Sequence, residues 1–227
     1  ELFNPNFQPW TGGGNHFSFF NQPIAAEANY HMFCESIRPL LLDNTDAQEK
    51  LDKIRNGFEE AMNQEINAMW AKKLGMSSYN ETIVDELLQL MIISKVDYTI
   101  FFRKLSDIPT QATKLKESFY FTNSEQVDAK WQKWLKEWRE QIKKCDDIEA
   151  TSASMKRNNP KYTWREWLIA PAYAKAEQGD YSLVKELQSV FSNPYEEQSL
   201  DIEEKYDRLK PKEFFNAGGI SHYSCSS

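Results

Sequence analysis

The sequence predicts a mostly α-helical protein. Apolar residues recur at threes and fours along much of the chain, capping residues stand ahead of several of these runs, and nowhere do Val, Ile and Thr alternate as a central strand requires. Spacings do not repeat at a fixed period, which argues against a helical-repeat solenoid.

Residues 7–22 are rich in Gly, Asn, Pro and aromatics, with the turn-forming run Gly12-Gly13-Gly14, and read as a loop. Pro23 suits a first helical turn, and Ile24, Tyr30, Phe33, Ile37 and Leu41 follow at helical spacing, predicting a helix to about Leu42. Thr45 and Gln48 have capping-box spacing, and the periodic set from Leu51 through Phe58 and Ile66 to Trp70 predicts one long helix ending at Gly75. A further helix is expected over 81–94, where Ile83, Val84, Leu87, Leu88 and Met91 share a face, continuing past a break into Tyr98–Phe102. Thr122 and Glu125 again have cap spacing. The helix after them carries Val127, Trp131, Trp134, Leu135, Trp138 and Ile142 on one side and Lys and Glu on the other, the pattern of a helix packed on a core. The last expected helices run from near Thr163 to near Gly179 and from Asp180-Tyr181 to about Phe191, where Asn193-Pro194 stops the second. The core is expected around Phe58, Leu87, Trp131 and Trp167.

Composition excludes several classes. With 27 Lys and Arg against 34 Asp and Glu, the chain lacks the basic footprint of a nucleic-acid binder. Its longest apolar stretch, Leu87 to Ile93, is broken by Gln89 and far short of the roughly 20 residues that span a bilayer, so no membrane partner is expected. Cys34, Cys145 and Cys225 are too few and too scattered for a disulfide framework, which is compatible with a reducing compartment. Glu1 opens the chain without an initiator Met, inside an apolar and aromatic phrase, so a piece of a longer polypeptide is expected.

The candidate chemistry is sparse. The glycine run lacks the Lys-Ser or Lys-Thr and the preceding strand of a phosphate-binding loop. His31 and Cys34 have a metal-ligand spacing but no second pair, so a half-buried His beside a small apolar Cys is the simpler account. Glu59-Glu60 and Asp146-Asp147 are adjacent rather than facing, and His16, His31 and His222 sit in no nucleophile context. Cys225, in Ser224-Cys225-Ser226-Ser227, is a candidate redox residue by its terminal position, although reactivity also needs a lowered thiol pKa.

Three phrases together resemble the selenoprotein O family of kinase-like protein adenylyltransferases. They are Phe17-Ser18-Phe19-Phe20-Asn21-Gln22-Pro23; then Met155-Lys156-Arg157-Asn158-Asn159-Pro160-Lys161-Tyr162 with Arg165, Ala176-Glu177-Gln178-Gly179-Asp180-Tyr181 and Asn193-Pro194-Tyr195-Glu196-Glu197; and the terminal Ser224–Ser227. Phe101–Ser106 and the Trp131 helix fall where the family has counterparts. Within this resemblance Asn21, Gln22, Pro23, Asn159 and Pro160 are motif positions without an assigned role, and Cys225 is the counterpart of a selenocysteine.

The resemblance implies the carboxy-terminal part of a kinase-like carboxy lobe plus a helical extension. Residues 1–22 would be a loop following the family's metal-binding motif, 23–206 the helical lobe and extension, and 207–227 a tail. It implies transfer of AMP from ATP, with Mg²⁺ or Mn²⁺, to Ser, Thr or Tyr hydroxyls of protein substrates. The family's phosphate-binding Lys, catalytic Asp, metal-binding Asn and Asp-Tyr-Gly phrase are expected upstream of Glu1, so this chain alone is expected to be inactive and to need the missing amino-terminal lobe as partner. The implied address is mitochondrial in a eukaryotic member and cytoplasmic otherwise. His16 stands where the family usually has Arg, and Phe7-Gln8-Pro9-Trp10 where some members have a Cys able to pair with the terminal one. The alternative reading is a non-catalytic helical interaction module.

Overall fold

The computed structural model describes residues 1–8, 14–142 and 147–215, without the side chains of His16 and Phe17. Among them are ten α-helices: α1 Gln22–Ile37, α2 Thr45–Asn56, α3 Phe58–Lys73, α4 Glu81–Ile93, α5 Tyr98–Leu105, α6 Glu125–Ile142, α7 Ile148–Asn158, α8 Glu166–Ala176, α9 Ser182–Ser192 and α10 Leu200–Tyr206. The only β pairing among the described residues is two isolated antiparallel bridges, Leu2 with Asp97 and Val96 with Phe119. The mostly α expectation holds.

Several boundaries differ from the sequence reading, each for a local reason. Pro39 has no N–H for an α-helical bond, so α1 stops at Ile37 and the chain continues as a 3-10 turn over Arg38–Leu41. The long helix expected from Thr45 to Gly75 is interrupted at Gly57, the weakest helix former in it after α2 begins. Asn44, not Thr45, caps α2: its Oδ1 accepts from the Ala47 N–H at 3.0 Å, while Gln48 reaches back to the Leu41 carbonyl. At α6 the residue in cap position is Ser124 rather than Thr122. The break between α4 and α5 is sharp, with Lys95 in the left-handed region and Asp97 capping α5 through the Ile100 N–H at 3.1 Å. Helices α7 and α10 had no counterpart in the sequence reading; α7 buries only Met155, so its apolar stripe is faint.

The contacts divide the chain into two units, Asn4–Met69 and the remainder, Glu1–Phe3 with the residues from Trp70 onward. In the larger unit α6 is the spine. Trp131, Trp134 and Trp138 are almost wholly buried. Their indole N–H groups donate to Ser94 Oγ (2.7 Å), the Ile83 carbonyl (2.9 Å) and the Leu74 carbonyl (2.8 Å). Each buried donor is thus satisfied while its ring packs against α4 and α5, which contribute Leu87, Met91, Phe101 and Phe102. A second cluster joins α8, α9 and α10 through Trp167, Leu168, Leu187, Val190 and Tyr206. Leu87, Trp131 and Trp167 are therefore core, as expected, but Phe58 is only half-buried and stacks on Tyr30 inside the smaller unit, at 4.9 Å between ring centroids.

Gly75 ends α3 with φ +65°, and a Cβ there would lie 2.7 Å from Met155 Sδ and 2.8 Å from Thr151 Cγ2. Close approach of α7 and the left-handed backbone both demand glycine. Gly75→Ala is expected to lower unfolding stability by about 2 kcal/mol, measured by urea titration; an unchanged midpoint would contradict the close packing of α7 on this turn.

Candidate functional site

Asn21, Gln22 and Pro23 build the entry to α1 in the smaller unit. Asn21 closes the 3-10 turn Phe19–Asn21, Gln22 Nε2 donates to the Ser18 carbonyl at 3.3 Å, and Pro23 occupies the first turn of α1, where a missing N–H costs nothing. Ser18 is buried and donates to the Asn15 carbonyl. None of these groups titrates near neutral pH, so the phrase shapes backbone rather than moving protons.

Asn159 and Pro160 lie in the larger unit, at the centre of a buried polar network. Pro160 biases Asn159 out of the helical region, and Asn159 is accordingly extended and ends α7. The next two amides, of Lys161 and Tyr162, both donate to the Pro194 carbonyl at 2.8 and 3.1 Å. Two segments of the second motif phrase, separated by α8 and α9, therefore meet backbone to backbone. Arg103 bolts the junction: one guanidinium nitrogen donates to the carbonyls of Lys156 and Asn159, both at 3.2 Å, and the other to Glu197 Oε1 at 2.6 Å. Lys161 donates to Glu197 and to Glu203 (2.5 Å), with Asp207 at 3.9 Å. Burial alone would push the Glu197 carboxyl up, but hydrogen bonds from Lys161 and Arg103 pull it down to about 2.

The Asn159 side chain holds a second, deeper group. Its Oδ1 accepts from Lys73 Nζ at 2.9 Å, and its Nδ2 donates to the Lys73 carbonyl (2.8 Å) and to Ser106 Oγ (3.1 Å). The ammonium also sits over the Phe102 ring, 4.2 Å from its centroid. Among the described residues no carboxylate pairs with it, and burial lowers its pKa to about 8.

Asp97 and Arg165 form the third element. Arg165 Nη1 and Nη2 donate to Asp97 Oδ2 and Oδ1 at 2.6 and 3.0 Å, with both side chains essentially sealed from solvent. Tyr120 Oη donates to the same carboxylate at 3.0 Å. Burial would raise the Asp97 pKa; the guanidinium, with the Ile100 amide, overrides it and holds it below the usual range. Arg165 belongs to the same motif phrase as Asn159, so that phrase supplies residues to both buried clusters.

Chemically this is a clamp. Its interior charges are spent on one another, with Lys73 as the exception, and among the described residues no group of three or more His, Cys, Asp and Glu side chains could hold a metal ion. His31 lies 3.8 Å from Glu27 and Cys34 is buried. A shallow cavity of about 250 Å³ between α8, α9 and α10, lined by Trp167, Pro171, Leu183, Tyr206, Arg208 and Phe214, is mostly apolar, and its Glu186 carboxylate is already bound to Lys205 and Tyr206. Cys225, Cys145, His222 and Gly12-Gly13 lie outside the described residues. Sequence reading singled out Asn159 and Arg165 through their phrase but not Lys73, Asp97 or Glu203. Only Asp97 carried a local signal, as an acidic residue just ahead of the Tyr98 helix.

Comparison with known proteins places these phrases in context. The family described as "Protein adenylyltransferase SelO" matches residues 1–192. Among relatives named "Protein nucleotidyltransferase YdiU", that of Aromatoleum aromaticum is 31% identical over the whole of this chain and 44% of its own length. That of Flavobacterium johnsoniae is 30% identical, again over the whole chain, and 45% of its own length is covered. The Rhodopirellula baltica protein is 27% identical, with 46% of its length covered. The chain thus spans somewhat less than half the length of these curated relatives.

Proposed function

The chain belongs to the SelO protein adenylyltransferase family, and from that premise we propose that it is the carboxy-terminal part of an enzyme that transfers AMP from ATP to Ser, Thr or Tyr hydroxyls of other proteins. In this reading the described helices complete a kinase-like carboxy lobe and its extension. The observation that carries it is that separate segments of the family's second phrase are tied to one another and to α5 and its cap: the Lys161 and Tyr162 amides on the Pro194 carbonyl, Arg103 on Glu197, Arg165 on Asp97. A network of this kind fixes the relative position of α5, α7 and the segment before α8, and so gives a catalytic lobe a rigid support.

ATP would supply the AMP, and Mg²⁺ or Mn²⁺ would neutralise the charge developing at the transferred phosphate. The described residues do not fit that group: the buried Asp97 carboxylate is neutralised by Arg165 and the exposed Glu197 by Lys161, and among the described residues no acidic cluster remains to coordinate a cation. In this reading its ligands are the family's residues upstream of Glu1, and the protein would act in the mitochondrion of a eukaryote or otherwise in the cytoplasm.

The test is incubation of the full-length protein with an acceptor protein, divalent metal and ATP labelled at the α or the γ phosphate. Label from the α position is expected in the acceptor. Label from neither, with folding confirmed, would leave a helical interaction module. The terminal thiol is part of the same reading: Cys225→Ser is expected to leave the urea midpoint unchanged and to abolish any difference in activity between oxidised and reduced protein. A variant that still responds to oxidant as the parent does would remove the redox role from Cys225.

A further inference from the structure

The unit Asn4–Met69 has almost no interior. Among its described side chains only Ser18 and Cys34 are buried, whereas a folded unit of this length needs an apolar core to offset the entropy of ordering its chain. Its large apolar side chains face outward instead: Ile24, Met32 (71% exposed), Phe33, Leu40 (82% exposed), Leu42 and Ile54. On α1, at 100° per residue, positions 24, 32 and 33 fall on three different sides, and Glu27 and Glu35 are the only acidic residues in the helix, which has no Lys or Arg. Large apolar side chains exposed on more than one side of a helix are expected where other elements pack against it.

The arginines beside this surface already have acidic partners. Arg38 is held by Glu35 and by Asp52 at 2.5 Å, and Arg55 lies 3.8 Å from Glu35. The large side chains exposed beside them are hydrocarbon and aromatic. More than half the length of the relatives above has no counterpart in this chain. We infer that the exposed apolar surface of α1, the Arg38–Leu41 turn and α2 is an intramolecular docking face, covered in the full-length protein by apolar residues of the polypeptide that these relatives have and this chain lacks. The inference rests on the reading of the chain as one part of a longer enzyme, and it adds which surface makes the junction and by what chemistry.

Matched residues test it in the full-length protein. Phe33 and Phe121 are 59% and 54% exposed here, and Leu40 and Leu200 are 82% and 76% exposed. Hydroxyl-radical footprinting is expected to oxidise Phe33 and Leu40 at least tenfold more slowly than Phe121 and Leu200. A photo-crosslinking p-benzoylphenylalanine in place of Leu40 is expected to join, within one molecule, a peptide outside these 227 residues. Equal oxidation rates would overturn the inference. So would a crosslink to residues 70–215, or one between two copies, or protection that disappears when the protein is diluted. The footprint needs no substitution, so a crosslinking variant that fails to fold leaves the first arm standing. The labelled-ATP assay is independent of both arms: protection without nucleotide transfer keeps this interface and removes the enzymatic reading, and transfer without protection does the reverse.

Discussion

Replacing Arg165 with Met is expected to lower unfolding stability by about 3–5 kcal/mol at neutral pH, the cost typical of breaking a buried ion pair from one side. The reason is the partner left behind. Asp97 is wholly buried, and without the guanidinium its carboxylate keeps only the Ile100 amide and the Tyr120 hydroxyl as described hydrogen-bond donors. The carboxyl must then either stay charged in a dry interior or take up a proton. Its folded pKa, now held below the ordinary value by Arg165, would rise above it. The sign follows: in the parent, this pair's contribution is present above the unfolded carboxyl pKa and is lost as pH falls through the folded one, whereas the variant is worst off at neutral pH and recovers ground as acid protonates Asp97. Urea titrations at pH 7 and pH 4.5 measure both parts. A loss below about 1 kcal/mol at pH 7, or one that does not shrink at pH 4.5, would show that Asp97 does not depend on this partner.

The second large effect concerns Lys73. Its pKa is lowered to about 8 by burial, against roughly 10.4 for an unperturbed Lys. Between those values the unfolded chain holds a proton that the folded protein has released, so stability rises with pH. From pH 8 to pH 10 the rise is expected to be roughly 2–3 kcal/mol, at about 1.4 kcal/mol per pH unit. Above pH 10 the buried tyrosines Tyr98 and Tyr120, whose pKa values burial pushes up, work in the opposite direction, which closes the window. Lys73→Met keeps the bulk and removes the charge, so its stability should be flat from pH 8 to pH 10. At neutral pH its level should sit within about 2 kcal/mol of the parent, because relief from burying an ammonium is offset by the donor that Asn159 Oδ1 loses. The slope is therefore the decisive reading, and parallel curves for parent and variant would rule out the lowered pKa.

Helices α6 and α9 were legible because periodicity is local and both present one clear apolar stripe, Trp131 to Ile142 in the first and Leu187 with Val190 in the second. Boundaries depended on chemistry that one or two residues decide: Pro39 withholding an N–H, Gly57 weakening a helix, Asn44 outcompeting Thr45 for the cap. The site was half legible. Asn159 and Arg165 stood in a recognisable phrase, but the phrase says nothing of what they touch. Lys73 and Asn159 are 86 positions apart, and Asp97 and Arg165 68. No local pattern encodes such pairs, since a buried Lys and a solvated one look alike in a window of neighbours.

The three indole anchors of α6 also bear on how the molecule assembles itself. Each N–H reaches backward along the chain, across 37 positions to Ser94, 51 to Ile83 and 64 to Leu74. Helical proteins usually fold fast because their contacts are near neighbours, and closing wide loops before any contact rewards them slows the search. This spine gains its anchors only after the turns around Leu74 and Ser94 exist. During synthesis α4 and the turn at Leu74 must therefore wait, with the apolar face of α4 open, until α6 has left the ribosome, and in that interval the growing chain is exposed to aggregation.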